Sequence, residues 1–258
     1  MSSSHQRRKQ ILSMIEATGE VRTRELIEML GISEETVRRD LKMFERSGRV
    51  VRVHGGAVAT GEPKLLALAS RSTSQAGQKD DIASMALSLL KPGQNVFLGG
   101  GSTVLALARR ISALPKMRIV TNMIDTCIAA AEGGRHEVSL LGGNFNADHR
   151  SVMGPLALRT LEEQLLDLAI IGVNAVDPER GFFDHEEIGQ SLAATLARQA
   201  EKVVILADHT KFDVRARFRI LPPQAISVLV TDRIPSARAL ELFGRVRVNV
   251  IWAGRKPS

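Results

Sequence analysis

The sequence comprises 258 residues, of which 44% are hydrophobic, so it is long and apolar enough for one small and one medium domain. Its net charge of +7 suits a polyanionic partner, but an aromatic content of 3% argues against a stacking platform for single-stranded nucleic acid. The single cysteine, Cys127, excludes an intramolecular disulfide and any metal site built from several cysteines, and its apolar neighbours indicate a small buried side chain.

The sequence shows no sign of export or membrane insertion. Its first ten residues lack the apolar core of a signal peptide, and no uninterrupted apolar run reaches membrane-spanning length. We therefore expect a soluble, cytoplasmic protein with no membrane partner.

The first sixty residues predict three helices followed by a hairpin. The helices are predicted over about 6–17, 23–30 and 33–47, and two short strands follow through about residue 60. Ser33 is well placed as the N-cap of the third helix, and Glu34 suits the positive end of its dipole. A glycine turn at 54–56 joins the two strands.

The predicted third helix has one apolar face and one charged face. The apolar stripe consists of Val37, Leu41 and Phe44. The opposite face carries Glu35, Arg39, Lys42 and Arg46. Such a helix, followed at once by a basic hairpin, is typical of a winged helix that binds duplex DNA. The alternative interpretation is a solvated amphipathic helix beside an unrelated hairpin.

The predicted DNA contacts divide into base contacts and phosphate contacts. The first turns of a recognition helix meet base edges, so we expect base contacts from Ser33, Glu35, Thr36, Arg38 and Arg39. We expect phosphate contacts from Lys42, Arg46, Arg49 and Arg52. His54 and Gly55 are predicted to form the tip of the wing, where glycine permits a positive φ.

After the hairpin the sequence predicts a linker and then a larger domain. Residues 61–80 are small and polar around a short apolar patch, which is typical of a linker between domains 1–60 and 81–258. The predicted strands of the second domain are 95–98, 118–121, 137–141, 168–173, 202–207, 226–230 and 246–252. The predicted helices lie near 81–90, 102–113, 123–132, 155–166, 186–200 and 236–243. Because strands that are apolar on both faces alternate with helices, we predict an α/β domain with a mostly parallel, doubly wound sheet.

A glycine loop follows the first predicted strand of this domain. Gly100 and Gly101 let the backbone approach a ligand closely, and Ser102 and Thr103 begin the next helix with hydroxyl and free N–H groups. The loop lacks the Gly-Lys-Ser/Thr of a Walker motif and does not match the dinucleotide GxGxxG pattern. We predict a phosphate cradle, and the alternative is a flexible turn with a serine cap.

Polar residues also follow the later predicted strands or precede the next helix. They are Asn122, Gly143, Asn174, Asp184, Glu187, Asp208 and Lys211. The carboxyl ends of parallel strands open on one crevice, so we expect these groups to converge around the hydroxyls and phosphate of a sugar. Each group alone is also compatible with a cap or turn, and Asp208 and Lys211 with a surface ion pair. The sequence predicts neither a metal nor a cofactor.

Two sets of motifs resemble the DeoR family of sugar-responsive bacterial regulators, and the resemblance covers essentially the whole chain. Residues 33–41 and 52–57 are similar to the helix-turn-helix signature of the family. The motifs that resemble its sensor domain are Gly101-Ser102-Thr103, Thr121-Asn122, Leu141-Gly142-Gly143 and Asp208-His209-Thr210-Lys211-Phe212. The resemblance implies a transcriptional repressor of a carbohydrate operon that a phosphorylated sugar releases from double-stranded operator DNA. It also implies a homo-oligomer, either a dimer or a tetramer.

The sensor half is also similar to ribose-5-phosphate isomerase, which provides an enzymatic alternative. An isomerase needs a carboxylate base and a lysine that holds the substrate, and the candidates are Asp177, Glu186 or Glu187, and Lys211. Family members usually carry an acidic residue at the position of Gly99, often Asp at that of Asn174, and Lys near Gln190. The loss of these charges argues against isomerase chemistry, so we expect a regulator rather than an enzyme.

Overall fold

The computed structural model describes residues 4–18, 20–53, 55–59, 75–212 and 214–253. The chain divides into two compact units, residues 1–70 and 71–258, which are described separately below. The predicted boundaries of 1–60, 61–80 and 81–258 remain predictions, since residues 60–74 lie outside the described ranges. Within the predicted linker, the described chain is already helical from Ala76.

The smaller unit contains the three predicted helices and the predicted hairpin. Its helices are α1 (Ser4–Thr18), α2 (Thr23–Leu30) and α3 (Glu34–Arg46). Its strands are β1 (Glu20–Arg22), β2 (Val50–Val53) and β3 (Gly56–Ala59). The strand β1 was not predicted from the sequence, and it pairs antiparallel with β3 to complete a sheet in the order β1-β3-β2.

The predicted apolar stripe of α3 is confirmed. Val37, Leu41 and Phe44 are buried in one cluster with Ile11 and Ile15 of α1. Since residues at i, i+4 and i+7 lie on one face of a helix, this packing turns the charged face of α3 towards solvent.

A buried carboxylate on α3 also ties that helix to α1. Asp40 is fully buried, with its Oδ2 atom 2.8 Å from Arg7 Nε and its Oδ1 atom 2.7 Å from Arg8 Nε. A buried charge is tolerated only when it is paired and hydrogen-bonded, and these two arginines supply the pairing. This contact fixes α3 against the amino-terminal helix across more than thirty residues of sequence.

The larger unit is built on a parallel sheet of seven strands. These strands are β4 (Asn95–Leu98), β5 (Arg118–Thr121), β6 (Glu137–Leu140), β9 (Leu166–Gly172), β12 (Ala200–Leu206), β14 (Val228–Thr231) and β15 (Asn249–Trp252). Their order is β15-β14-β12-β9-β4-β5-β6, and every neighbouring pair is parallel. The chain therefore winds outward from β4 in one direction and then from β9 in the other, as predicted for a doubly wound sheet.

Both faces of this sheet are covered by other elements. The helices are α4 (Ala76–Ala86), α5 (Ser102–Ala108), α6 (Ile124–Ala131), α7 (Pro155–Glu162), α8 (Ile188–Gln199) and α9 (Ala237–Arg245). Three consecutive residues of β4, 96–98, are buried, and so are residues 203–206 of β12. Because successive strand residues point to opposite faces, such runs require apolar packing on both sides.

Two smaller antiparallel elements were not predicted. One is a hairpin of β7 (Asn144–Asn146) and β8 (Ser151–Met153), and the other is a sheet of β10 (Ala175–Asp177), β11 (Gly181–Asp184) and β13 (Phe218–Leu221). These strands contain only three or four residues, which is too short for a clear alternating pattern. Both elements belong to the segments that follow strands of the main sheet. In the part of the chain that the structure describes, every helix is too short or too polar to cross a membrane.

Candidate functional site

The predicted recognition helix begins with a side-chain cap. Ser33 Oγ accepts a hydrogen bond from the backbone N–H of Thr36 at 3.3 Å, and it lies 2.9 Å from Thr36 Oγ1. This cap satisfies one of the N–H groups that the first turn of a helix leaves open. The two predicted base-contacting hydroxyls therefore lie together at the amino-terminal end of α3.

Two exposed arginines of α3 are paired with glutamates along the helix. Arg39 Nη2 lies 2.9 Å from Glu35 Oε1, and the two side chains are 72% and 82% exposed. Arg38 Nη2 lies 2.6 Å from Glu34 Oε1 in the same i,i+4 arrangement. Exposed ion pairs contribute little to stability, so a more highly charged partner can replace them.

The predicted phosphate-contacting residues all lie on the surface of the smaller unit. Lys42, Arg46 and Arg49 are exposed, and Arg52 Nη1 lies 3.9 Å from Glu45 Oε2. The geometry therefore offers a run of exposed cations from α3 to β2, with few carboxylates to neutralise them. Such a surface suits the phosphates of a duplex.

The predicted wing lies between β2 and β3, whose antiparallel register pairs Val53 with Gly56. Gly55 has a φ of +81°, the left-handed conformation expected of a glycine in this turn, whereas His54 lies outside the described residues. The following Gly56 is required by packing, because a Cβ atom there would lie 2.0 Å from the carbonyl oxygen of Val21. The absence of a side chain thus allows β1 to pair with β3 at the base of the wing.

In the larger unit, the predicted glycine loop lies at the point where the strand order reverses. The backbone N–H of Gly99 donates to Ile170 O at 2.8 Å, and that of Gly172 donates to Gly100 O at 3.1 Å. A Cβ atom on Gly172 would lie 2.8 Å from Gly100 O, and Gly101 has a φ of +110°. The loops after β4 and β9 therefore pack backbone against backbone, at the position where open α/β sheets bind ligands.

Ser102 and Thr103 follow this loop as the first residues of α5. Both are buried, and Gly101 precedes them as the N-cap. The carbonyl of Gly101 accepts the first hydrogen bond of the helix from Leu105 N at 3.0 Å. The predicted loop and helix start are thus adjacent, as a phosphate cradle requires.

Met153 of β8 contacts two further predicted residues. Asn122 is 4% exposed and its Nδ2 atom lies 3.2 Å from Met153 Sδ, while its Oδ1 atom has no hydrogen-bond partner among the described residues. Gly143 has a φ of +138°, and a Cβ atom there would lie 2.5 Å from Met153 O. The hairpin therefore covers the carboxyl end of β5, and the free amide oxygen is a candidate ligand-binding atom.

Asn174 and Asp184 are brought into direct contact. Asn174 Nδ2 donates to Asp184 Oδ1 at 2.5 Å, and the same oxygen accepts the backbone N–H of His185 at 2.6 Å. The amide at position 174 can donate to a carboxylate, whereas two ionised carboxylates would repel each other. This departure from the family pattern thus gives Asp184 a neutral donor.

The sequence interpretation missed His149, which lies in the turn of the β7–β8 hairpin. Its Nε2 atom lies 2.7 Å from Glu186 Oε1. Of the two adjacent candidate carboxylates, Glu186 makes this contact, whereas Glu187 is exposed next to the start of α8. No sequence spacing indicated the pair, because the hairpin that brings the two side chains together was not predicted.

The same hairpin turn is held on its other side by an arginine. Arg150 Nε and Nη2 donate to the two carboxylate oxygens of Asp125 at 2.8 Å and 2.9 Å. Hydrogen bonding to Asp125 and, second, its Coulomb attraction raise the pKa of the Arg150 guanidinium. On the same helix as Asp125, Cys127 is half-buried rather than buried as predicted, and this partial burial raises the pKa of its thiol.

Asp208 caps a short turn at the end of β12. It is buried and accepts hydrogen bonds on Oδ1 from the backbone N–H of Thr210, at 2.9 Å, and from the Thr210 hydroxyl. Among the described residues, Lys211 forms no salt bridge with Asp208, so its ammonium is not neutralised by that carboxylate. The intervening His209 of the same motif binds Asp232 through Nδ1 and through its backbone N–H, both at 2.6 Å.

Comparison with known families matches both units of the chain. Residues 7–62 match the DeoR-like helix-turn-helix domain, and residues 74–233 match the DeoR C terminal sensor domain. The two matches correspond in order to the winged unit and to the parallel sheet with its glycine loop.

Two curated relatives align along nearly the whole chain. The chain is 30% identical over 245 residues to the lactose phosphotransferase system repressor of Lactococcus lactis, covering 93% of this chain and 95% of the relative. It is 25% identical over 229 residues to the glycerol-3-phosphate regulon repressor of Haemophilus influenzae, covering 89% of each. Both relatives are named as repressors, which agrees with the expectation of a regulator rather than an enzyme.

Among solved structures, the chain is similar to ribose 5-phosphate isomerase A from Methanocaldococcus jannaschii. The TM-score is 0.40 and the identity is 17%, over 54% of this chain and 55% of that chain. A similarity of this size carries no conclusion about activity.

Proposed function

The chain belongs to the DeoR family of transcriptional regulators, and we propose that it represses a carbohydrate operon until a phosphorylated sugar releases it from the operator. The relatives named above act on a lactose phosphotransferase system and a glycerol-3-phosphate regulon, which supports a phosphorylated effector of carbohydrate origin. Operator DNA lies in the cytoplasm, so we place the protein there.

The observation that carries this proposal is the exposed cationic face of α3 beside a basic wing. Arg38 and Arg39 lie within the first turns of a capped helix whose opposite face is buried. We assign base contacts to Ser33, Glu35, Thr36, Arg38 and Arg39. We assign phosphate contacts to Lys42, Arg46, Arg49, Arg52 and the wing tip at His54 and Gly55.

For the effector we propose the crevice at the carboxyl ends of the strands in the larger unit. Gly100, Gly101, Ser102 and Thr103 cradle the phosphate, since this loop combines close backbone approach with buried hydroxyls. The sugar hydroxyls are bound by polar groups that follow the other strands. These are Asn122, Asn174, Asp184, Glu187, Asp208 and Lys211, with Gly143 allowing close approach of the hairpin.

Release from DNA requires that the effector favour one arrangement of the protein over another. A ligand shifts such an equilibrium only by its difference in affinity for the two states. We propose a homo-oligomer, a dimer or tetramer, because paired winged units fix the spacing of two half-sites. A small change between subunits then weakens both half-site contacts together.

The DNA-binding proposal is tested with two matched arginine substitutions. An operator is first selected from random duplex, and binding of the full chain is then measured by fluorescence anisotropy. Arg39→Ala is expected to weaken operator binding by about tenfold or more, since a good base contact discriminates by that order. Arg24→Ala serves as the control, because Arg24 forms the same exposed i,i+4 pair with Glu28 on α2.

The control variant should bind within about twofold of the unmodified chain. Equal binding by Arg39→Ala and the unmodified chain would contradict the assignment of α3 as the reading helix. A panel of sugar phosphates added to the preformed complex tests the effector. If none of them releases the operator, the proposal of a phosphorylated sugar is wrong.

A further inference from the structure

The amide oxygen of Asn122 is covered by the β7–β8 hairpin. Asn122 Oδ1 is buried and has no hydrogen-bond partner among the described residues, while its Nδ2 atom lies 3.2 Å from Met153 Sδ. The N–H of Val152, also on β8, donates to Asn122 O at 2.7 Å. A buried acceptor without a partner is costly, so such an atom is usually satisfied by water or a ligand. A ligand can reach this oxygen only after its cover moves.

On one side, the hairpin is attached to the segment that follows β5. Ile124 N–H donates to Arg150 O at 2.9 Å, and Met123 forms an isolated β-bridge with Ser151. The Arg150 side chain adds two hydrogen bonds to Asp125 on α6. All three residues of β7 are exposed, so this strand adds little packing to these contacts. The hairpin is therefore held chiefly by β8 and by its turn.

His149 attaches the same turn to the other half of the sheet. Its Nε2 atom lies 2.7 Å from Glu186 Oε1, and Glu186 closely follows Asp184, whose carboxylate is bound to Asn174 after β9. In the sheet, β4 lies between β5 and β9, and two strand spacings amount to about 10 Å. The contact between His149 and Glu186 therefore links segments on either side of the carboxyl end of β4, where the glycine loop begins.

The two attachments of the turn differ in strength. Arg150 makes two hydrogen bonds to one carboxylate, which is among the strongest arrangements of a charged pair. His149 meets Glu186 through one pair of atoms, and the Glu186 side chain is 42% exposed. Because exposed pairs contribute little to stability, we expect His149 to release its partner before Arg150 does.

We propose that the β7–β8 hairpin is a lid over the effector site and that the contact between His149 and Glu186 is its latch. The inference rests on the proposed function, because it explains how an effector reaches Asn122. Opening of the latch frees the turn from the segment before α8, while Arg150 keeps it attached to α6. A sugar phosphate enters while the latch is open, and one of its hydroxyl groups donates to the oxygen that the closed lid covers.

The test of this lid is the accessibility of position 122. Cys127→Ser and Asn122→Cys together leave the full chain with a single thiol, which lies beneath the hairpin. The rate of its alkylation by iodoacetamide is compared with and without His149→Ala or Glu186→Ala. Each of these is expected to raise the rate about threefold to fivefold, because it removes one partly exposed pair. The two together should raise it no further, since both break the same contact.

Asp148→Ala is the matched control, since Asp148 is an exposed residue of the same turn, and its rate should stay within about twofold. Hydrogen exchange in chains that keep Asn122 is a second measurement, and it decides alone if Asn122→Cys does not fold. The N–H of Val152 should exchange faster in His149→Ala and in Glu186→Ala. Exchange in β12, whose residues 203–206 are buried, should not change, because it reports on unfolding of the sheet itself.

Equal alkylation rates and equal Val152 exchange, with and without the latch, would overturn the inference. An equal acceleration in Asp148→Ala would also overturn it, and so would a matching rise in β12 exchange, because the sheet as a whole would then have loosened. If the lid opens as expected but no sugar phosphate releases the operator, the proposed function fails and the lid remains. If a sugar phosphate releases the operator but the latch variants leave access unchanged, the function stands and the lid does not.

Discussion

The charged face of α3 and the strand-end crevice hold their polar groups in different ways. On α3 the arginines are exposed, and Arg38 and Arg39 are each paired with a glutamate one turn away on the same helix. The polar residues proposed for the effector site are mostly buried or half-buried, and several bind partners from other segments, as Asn122 binds Met153. The first arrangement depends on helix periodicity, and the second depends on the whole topology of the sheet.

This difference predicts which substitutions separate binding from folding. An exposed side chain on α3 contributes little to stability, so its replacement should change DNA binding alone. A buried polar group of the proposed effector site also satisfies its neighbours in the fold, so its replacement should change stability as well as ligand binding. Asp40 differs from the other charged residues of α3 because it is buried, so its replacement should change the stability of the smaller unit.

Asp40→Ala should cause the largest loss of stability among the substitutions considered. The change leaves Arg7 and Arg8 without their buried carboxylate and removes the ionic contact between α1 and α3. We expect the smaller unit to lose about 3 kcal/mol, since breaking a buried ion pair costs 3–5 kcal/mol and these arginines are partly exposed. Urea unfolding followed by circular dichroism measures the effect.

The matched control for Asp40→Ala is Glu34→Ala, an exposed acidic residue on the same helix. Its stability should remain within about 0.5 kcal/mol of that of the unmodified chain. If Asp40→Ala and the unmodified chain unfold at the same urea concentration, the buried carboxylate does not hold α1 and α3 together.

Gly172→Ala tests the close packing of the loops at the reversal of strand order. The added methyl group would lie 2.8 Å from the backbone oxygen of Gly100, so the glycine loop must move. We expect a loss of about 2 kcal/mol in the larger unit, typical of overpacking, together with weaker effector binding. Differential scanning calorimetry and ligand titration measure the two effects.

Gly244→Ala is the control for this substitution. Gly244 lies in α9 and has open space around its Cα atom, so alanine should stabilise that helix by up to about 1 kcal/mol. If Gly172→Ala leaves both stability and effector binding unchanged, the loops after β4 and β9 are not rigidly packed. The proposed effector site would then not couple folding with binding.

Asn174→Asp tests the neutral donor that faces Asp184. A second carboxylate would replace the hydrogen bond of 2.5 Å by repulsion, with an expected loss of about 1 kcal/mol at neutral pH. Protonation of one carboxyl removes the repulsion, so this loss should shrink as the pH falls. Thermal midpoints at several pH values measure this loss of stability. Asn249→Asp is the control, because Asn249 is exposed. A loss that is independent of pH would exclude repulsion between the carboxylates as its cause.

Glu35→Gln should have the smallest effect, and only on binding. It releases Arg39 from its ion pair, so the affinity for random duplex should rise by about twofold at low salt, without a change in stability. If Glu35 also contacts a base, the preference for the operator should fall at the same time. Fluorescence anisotropy with operator and with random duplex decides between these outcomes. Glu28→Gln is the control. Unchanged affinity for both duplexes would mean that the pair does not restrain Arg39.

The two regions also differ in how far the sequence predicted them. The faces of α3 follow from the spacing of Val37, Leu41 and Phe44, because a helix has one local period. The seven parallel strands were predicted for a similar reason, since each is a short apolar run bounded by loops or helices. Local patterns therefore predicted the main architecture of both units.

Contacts between residues that are distant in the sequence could not be predicted from local sequence patterns. The pairs Arg7–Asp40 and His149–Glu186 are separated by 33 and 37 residues, and only the packed fold brings them together. Lys79 was placed in the predicted linker, because its polar surroundings in the sequence concealed the helix that begins at Ala76. Asn174 and Asp184 were both predicted site residues, Asn174 because it follows a strand and Asp184 because it precedes a helix, but their contact was not predicted.

The glycine at position 56 has a consequence for how this regulator could acquire a different target. Gly56 lets β1 pair with β3. The β2–β3 hairpin is therefore part of a three-stranded sheet, with β3 as its central strand, instead of a hairpin without a third strand. On the proposed assignment, the DNA-contacting positions of α3 lie on its exposed face, so they can be exchanged while the scaffold beneath them is retained. Retargeting to a new promoter would therefore require few changes, all of them outside the packed core.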